Sequence, residues 1–267
     1  MEQKQVHLVM FMGQSNMAGR GTADKAPRLT AGAGYEYRAI TAPDQLYVLQ
    51  EPFGKHENNP AGVTEAGMKT GSMVSAFVNA CCQETGVPIV GVSCAKGGSA
   101  IAEWMPEAAY YVDAVGRMKQ CEQWLMEHDY LIWHRSMIWC QGCTDGDLHT
   151  PKETYKEDTR TFLHSYLREC GIERCFLIQI GNNRNDAAIY VPIQEAQEEL
   201  AAEEASIVMV SRQLKTFAAK GLMKDEFHYL QEGYNLVGEE AGRKVGLLLK
   251  EQMQEITQEN LIKNLLH

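Results

Sequence analysis

Long hydrophobic runs are missing from this chain. No apolar stretch among its 267 residues approaches the ~18 that cross a bilayer, so no membrane-spanning helix is expected. Concentrated positive charge is missing as well. Lys and Arg number 25 against 35 Asp and Glu, a net charge of −10, and no basic cluster stands out. Nucleic acid and anionic membrane are therefore not expected as partners. There is no internal repeat, low-complexity tract or linker, so residues 1–267 read as one domain. The opening MEQKQVHLVMFMG runs into an apolar strand without a secretory h-region and small-residue cleavage site, which reads as cytoplasmic. Eight cysteines, the adjacent Cys81-Cys82 among them, lack the even spacing of a disulfide-stapled scaffold. Cys140-x-x-Cys143, with Cys170 and Cys175 further on, raises a zinc or redox reading. However, Cys140 ends an apolar strand and the later pair flanks a helix-to-strand turn, unlike the paired knuckles of zinc sites. Reduced thiols and no metal or cofactor are expected.

What is present is alternation. Apolar content of 45% and charged content of 22% are ordinary for a globular domain. Val6–Met12, Val87–Ser93, Ser136–Cys140, Cys175–Ile180 and Ser206–Val210 read as buried strands. Between them lie helical stretches Ser72–Thr85, Glu107–His128, Pro151–Glu169 and Pro192–Glu204, and a last one from Glu232 into the 250s. Pro151 suits a first helical turn and Gly171 a stop. Five strands alternating with helices imply an α/β fold, a parallel sheet covered on both faces. Pro43–Gly71 alone lacks periodicity and reads as a long loop walling a site.

The most informative segment is Val6–Gly21, VHLVMFMGQSNMAGRG. Its apolar run breaks at Gly13 and delivers Gln14-Ser15-Asn16 into a tight turn at the carboxyl end of a central strand, the rim where open α/β sheets bind ligands. Serine there is a candidate nucleophile, but it needs a base, and the base an orienting acid. Asp225-Glu226-Phe227-His228 supplies both types three residues apart. A second Asp/His set, Asp145, Asp147 and His149, is less favoured than His228, which lies past the last strand with its acid at tight spacing. His7, inside the first strand, reads as structural.

Two further clusters share that rim if the sheet is parallel. The second strand ends in Cys94-Ala95-Lys96-Gly97-Gly98-Ser99 with Trp104 behind it, the third in Gln141-Gly142-Cys143-Thr144-Asp145. Acyl transfer develops an oxyanion that needs fixed donors. The N–H of Gly97 or Gly98, the N–H of Ser15 and the Gln141 amide are candidates. Each also has a plain reading. The glycines can be a strand-to-helix turn, Gln141 a loop cap, Asn16 an Asx turn, and Trp104 either core or a sugar or acyl platform.

Gly13-Gln14-Ser15-Asn16-Met17, Gly97-Gly98-Ser99 with Trp104, Trp139-Cys140-Gln141-Gly142, and Asp225-x-x-His228-Tyr229 together resemble the SGNH hydrolases. More narrowly, they resemble the sialate O-acetylesterase-like and acetylxylan esterase-like carbohydrate esterases of the family 6 type. The resemblance implies a flavodoxin-like three-layer α/β/α fold and serine-dependent deacetylation of sugars without metal. It implies Ser15 as nucleophile, His228 as base and Asp225 as its orienting acid. The Ser15 N–H, Gly98 N–H and Gln141 side chain would form the oxyanion hole, and Gln14, Asn16, Trp104 and Cys143 would meet the substrate. Two departures stand out: relatives carry Gln-Gly-Glu where this chain has Gln141-Gly142-Cys143, and Gly-Gly-Thr where it has Ser99. Losing that glutamate charge leaves open a sugar-binding protein of the same fold with weakened turnover. The expected ligand is an acetylated sugar or oligosaccharide.

Overall fold

The computed structural model describes residues 3–265, with side chains not described at 256, 257 and 259–265. The first strand, β1 (Lys4–Gly13), is the middle of the sheet, paired in parallel with β4 (Ile89–Ala95) on one side and β5 (Tyr130–Cys140) on the other. Beyond β5 follow β6 (Arg174–Ile178) and β7 (Ile207–Ser211), also parallel. Beyond β4 lies β2 (Gly34–Arg38), parallel, and then β3 (Ala42–Val48), antiparallel at the edge. The sheet order is thus β3-β2-β4-β1-β5-β6-β7.

Seven strands replace the five expected, and the correction has a physical cause. Strand β2 buries Glu36, ion-paired to Arg38, where an apolar residue would have marked a strand. Strand β3 contains Pro43 and Asp44, tolerated because one side of an edge strand has no ladder partner. The expected loop Pro43–Gly71 therefore begins as strand, and its irregular part starts only after Val48.

The continuous apolar run in β1 reflects burial on both faces. Val6, Leu8, Met10 and Met12 join a core with α3 (Ala109–Glu127), α5 (Lys152–Glu169) and α6 (Val191–Glu203). Val9 and Phe11 join a second core with α2 (Val74–Thr85) and α7 (Gln231–Leu265). Helices thus cover both faces of one sheet, giving the three-layer α/β/α architecture. Because β1, β4, β5 and β6 run the same way, Gly13, Ala95, Cys140 and Ile178 lie along one rim.

Candidate active site

Gly13 closes β1 at φ +137, and a Cβ there would sit 2.1 Å from the Cys140 carbonyl oxygen, so only glycine permits this approach. The chain then turns through Gln14 into the one-turn helix α1 (Ser15–Ala18), with Ser15 at its first position. Gln14 ties the turn to β5 and to the start of α4 (Cys143–Asp147). Its N–H donates to Cys140 O (2.9 Å), and its Oε1 accepts from the N–H groups of Gly142 (2.7 Å) and Cys143 (2.8 Å).

From the far end of the chain, a turn brings His228 over Ser15. Asp225 Oδ1 accepts the N–H groups of Phe227 (3.1 Å) and His228 (2.8 Å), which is why acid and histidine lie three residues apart. Asp225 Oδ2 accepts from His228 Nδ1 at 2.9 Å, and Ser15 Oγ donates to His228 Nε2 at 2.9 Å. Burial lowers the His228 pKa, an effect partly offset by Asp225, so the ring is neutral at pH 7 with Nε2 free to accept. Burial also acts to raise the Asp225 carboxyl, but its hydrogen bonds from the His228 ring and the two main-chain N–H groups outweigh that and leave it below the ordinary value.

Ser15 and His228 line a cavity of about 350 Å³ together with Gln14, Gly97, Gly98, Cys143 and Phe227, with Asp225 behind the histidine. Arg20, Glu65, Met68, Lys96, Thr144 and Asp147 complete the wall; of these the sequence points to Lys96 and Thr144 only as members of the rim clusters and to Asp147 only beside His149. The loop after β3 supplies Glu65 and Met68. Among the described residues, no hydrogen bond takes the Gly98 N–H, whereas the Gly97 N–H is held by Glu65 Oε1 at 2.8 Å. The choice left open between the two glycines thus falls to Gly98 as the free donor.

Three expected substrate or oxyanion residues are placed elsewhere. Gln141 is fully buried and its Nε2 donates to Ser99 O (3.0 Å) and Asp145 Oδ2 (2.5 Å), so both amide hydrogens are engaged and neither reaches an oxyanion. Trp104 is core: it has no exposure, donates Nε1 to Ser99 Oγ at 3.0 Å and packs edge-on against Trp139. Asn16 is a brace rather than a substrate contact or an Asx turn. Its Nδ2 donates to Phe227 O (3.1 Å) and its Oδ1 accepts from Tyr234 OH (2.7 Å), which locks the serine turn to the histidine turn.

Cys143 does line the cavity, its Sγ 3.9 Å from Asn16 Nδ2, with burial pushing its thiol well above the ordinary range. All eight cysteines are unpaired as disulfides, and among the described residues no three His, Cys, Asp or Glu side chains converge as metal ligands. His149 is exposed and does not line the cavity. Gln197 accepts the Ile180 N–H and donates to the Gln141 carbonyl oxygen, bracing the end of β5.

A serine, histidine and aspartate are thus joined at the carboxyl rim of this α/β/α sheet, the arrangement of a serine esterase site. Residues 5–245 match the family described as carbohydrate esterase, sialic acid-specific acetylesterase, and the chain belongs to that family. A protein of Arabidopsis thaliana superposes with a TM-score of 0.65 at 22% identity, over 91% of this chain and 98% of that one. A carbohydrate acetylesterase from Xanthomonas citri superposes at 0.56 and 17% identity, over 90% of this chain and 56% of that one. Both likenesses are of fold. No curated protein matches the chain in sequence.

Proposed function

We propose that this protein removes O-acetyl groups from a carbohydrate through an acetyl-enzyme on Ser15. The observation that carries this reading is the unbroken relay Ser15 Oγ, His228 Nε2, His228 Nδ1, Asp225 Oδ2, each link 2.9 Å, at the floor of an open cavity.

In this mechanism Ser15 Oγ attacks the acetyl carbonyl while His228 Nε2 takes the hydroxyl proton. The carbonyl oxygen becomes an oxyanion, held by the Ser15 and Gly98 N–H groups. As the C–O bond to the sugar breaks, the imidazolium returns that proton to the leaving alcohol. Water then enters and gives its proton to His228, and its oxygen attacks the acetyl-enzyme. As the second tetrahedral intermediate collapses, the C–O bond to Ser15 breaks and His228 returns the proton to Ser15 Oγ, so acetic acid leaves, ionising to acetate, and the neutral histidine and serine are restored. Asp225 holds the ring in the tautomer with hydrogen on Nδ1 and stabilises the imidazolium in both halves. Arg20, Glu65, Lys96, Thr144 and Asp147 place charged and hydroxyl groups in the wall beside Met68, Cys143 and Phe227, a mixture that can meet both the hydroxyls and the acetyl methyl of an acetylated sugar.

Acetate release should be measured from p-nitrophenyl acetate and a panel of acetylated sugars, for wild type and Ser15→Ala. Turnover should fall by roughly 10⁴-fold or more, and labelling by a fluorophosphonate probe should disappear. Labelling that persists in Ser15→Ala would reject Ser15 as nucleophile.

A further inference from the structure

Glu65 lies beside the reacting groups without touching them, and its connections are unusual. The residue is 5% exposed and comes from the loop after β3. One carboxylate binds three groups: Arg20 through its guanidinium, Lys96 Nζ at 3.3 Å and the Gly97 N–H at 2.8 Å. Arg20 closes the serine turn, while Lys96 and Gly97 belong to the turn after β4. Glu65 is thus where the nucleophile segment and the glycine turn are joined.

The geometry of the glycine turn gives this joint a consequence. Lys96 Nζ, held by Glu65, also donates to the Gly97 carbonyl oxygen at 3.0 Å. That oxygen and the Gly98 N–H belong to the same planar trans peptide and point in opposite directions. Fixing the oxygen therefore fixes the N–H. The preceding peptide is fixed as well, by the bond from the Gly97 N–H to Glu65. Gly97 is packed flat against this assembly: a Cβ there would lie 2.4 Å from Arg20 Nη2 and 3.1 Å from Glu65 Oε1.

We propose that Glu65 is a positioning residue that holds the Gly97–Gly98 peptide so that the Gly98 N–H faces the oxyanion formed on Ser15. This rests on the esterase reading above. Glu65 contributes no proton and no nucleophile. It acts through Lys96 and Gly97, and its effect belongs to the transition state, because the oxyanion exists only there. Burial acts to raise the Glu65 carboxyl, but Arg20, the Gly97 N–H and Lys96 together bring it below the ordinary value, so it remains an anion at neutral pH.

The test compares Glu65→Met with Glu65→Gln. Methionine keeps the length and offers no acceptor to Gly97; glutamine keeps a carbonyl oxygen that can accept the Gly97 N–H. With p-nitrophenyl acetate, Glu65→Met should lower kcat by about 10- to 100-fold, within the loss from removing one oxyanion donor, with KM within about threefold of wild type. Glu65→Gln should recover most of that kcat. Because Met leaves Arg20 unpaired and buried, Arg20→Met/Glu65→Met serves as a second variant without the stranded charge, and it should show the same kcat loss with a melting temperature near wild type. An unchanged kcat in the Met variants, a loss confined to KM, or a kcat loss that Gln does not restore would overturn the inference. Ser15-dependent fluorophosphonate labelling that Glu65→Met does not slow would overturn it while leaving the esterase reading intact. Wild type without Ser15-dependent turnover or labelling would overturn both.

Discussion

His228 works because it is neutral. Burial disfavours the imidazolium, so its pKa lies below the ordinary 6.5 even with Asp225 opposing the shift. In the proposed mechanism the neutral ring is the base, and protonation removes it. As pH falls through the lowered value, activity must fall with the fraction of neutral imidazole, while between pH 7 and 8 it should be flat. A pH profile of kcat/KM on p-nitrophenyl acetate therefore has its acid limb below 6.5; a limb centred at 7 or above would contradict this picture. That Ser15, Asp225 and His228 come together was legible in the sequence because their signals are local. Gly13 to Asn16 marks a strand running into a turn, and Asp225 to His228 places acid and base within one turn. Arg20, Glu65 and Lys96 were not legible, since their meaning arises only from pairing across 45 and 31 positions. Gln141, Asn16 and Trp104 were placed at the correct rim, but single-sequence reading does not tell which way a side chain turns. All three turned inward, to the Ser99 carbonyl and Asp145, to Phe227 and Tyr234, and to the Ser99 hydroxyl.

At the scale of elements, the loop from Leu49 to Met73 holds its shape through buried charge. Arg117 of α3 is 1% exposed and forks onto both Asp113 oxygens (3.1 and 2.9 Å) while donating to the Ser93 and Val63 carbonyl oxygens. Lys69, from the loop, donates to Gly54 O and Ser93 Oγ, both at 2.9 Å, and burial beside Arg117 brings its pKa down to about 8. Nothing in the periodicity of residues 43–71 announces this, because the ordering comes from ions rather than from an apolar stripe. The parallel strands and their helices were read correctly for the opposite reason, being doubly buried apolar runs. Arg117→Met leaves Asp113 and Glu57 buried without their shared cation, Asp113 keeping only its bonds from Asn59 and the Val63 N–H, so it should cost about 3–5 kcal/mol in urea denaturation. It should also raise KM, since Glu65 and Met68 reach the cavity from this loop. A loss under about 1 kcal/mol would show that the network does not hold the loop.

At the scale of the whole molecule, the sheet carries a cost at its centre that appears only in acid. His7 of β1 and His134 of β5 meet at 3.3 Å between their Nδ1 atoms, and both Nε2 atoms are buried without a partner among the described residues. Burial, with His134 repelling His7, brings the His7 pKa down to about 3; burial, reinforced by the positive charge of Arg174, brings His134 down to about 4. Both values lie below the 6.5 of an unfolded histidine, so between them the unfolded chain binds more protons than the folded one. The native state is therefore at full strength above pH 6.5. It loses up to about 1.4 kcal/mol per pH unit per ring as the pH falls from there towards about 4 and about 3. Because these strands flank the nucleophile turn, acid should disrupt the fold as a whole rather than fray an edge. Urea denaturation at pH 7 and pH 5 should show the wild type clearly weaker at pH 5. His7→Leu/His134→Leu, which removes both titrating rings from the core, should narrow that difference, leaving the share due to His228. If the double variant weakens as steeply as wild type between those pH values, the acid sensitivity originates elsewhere in the molecule.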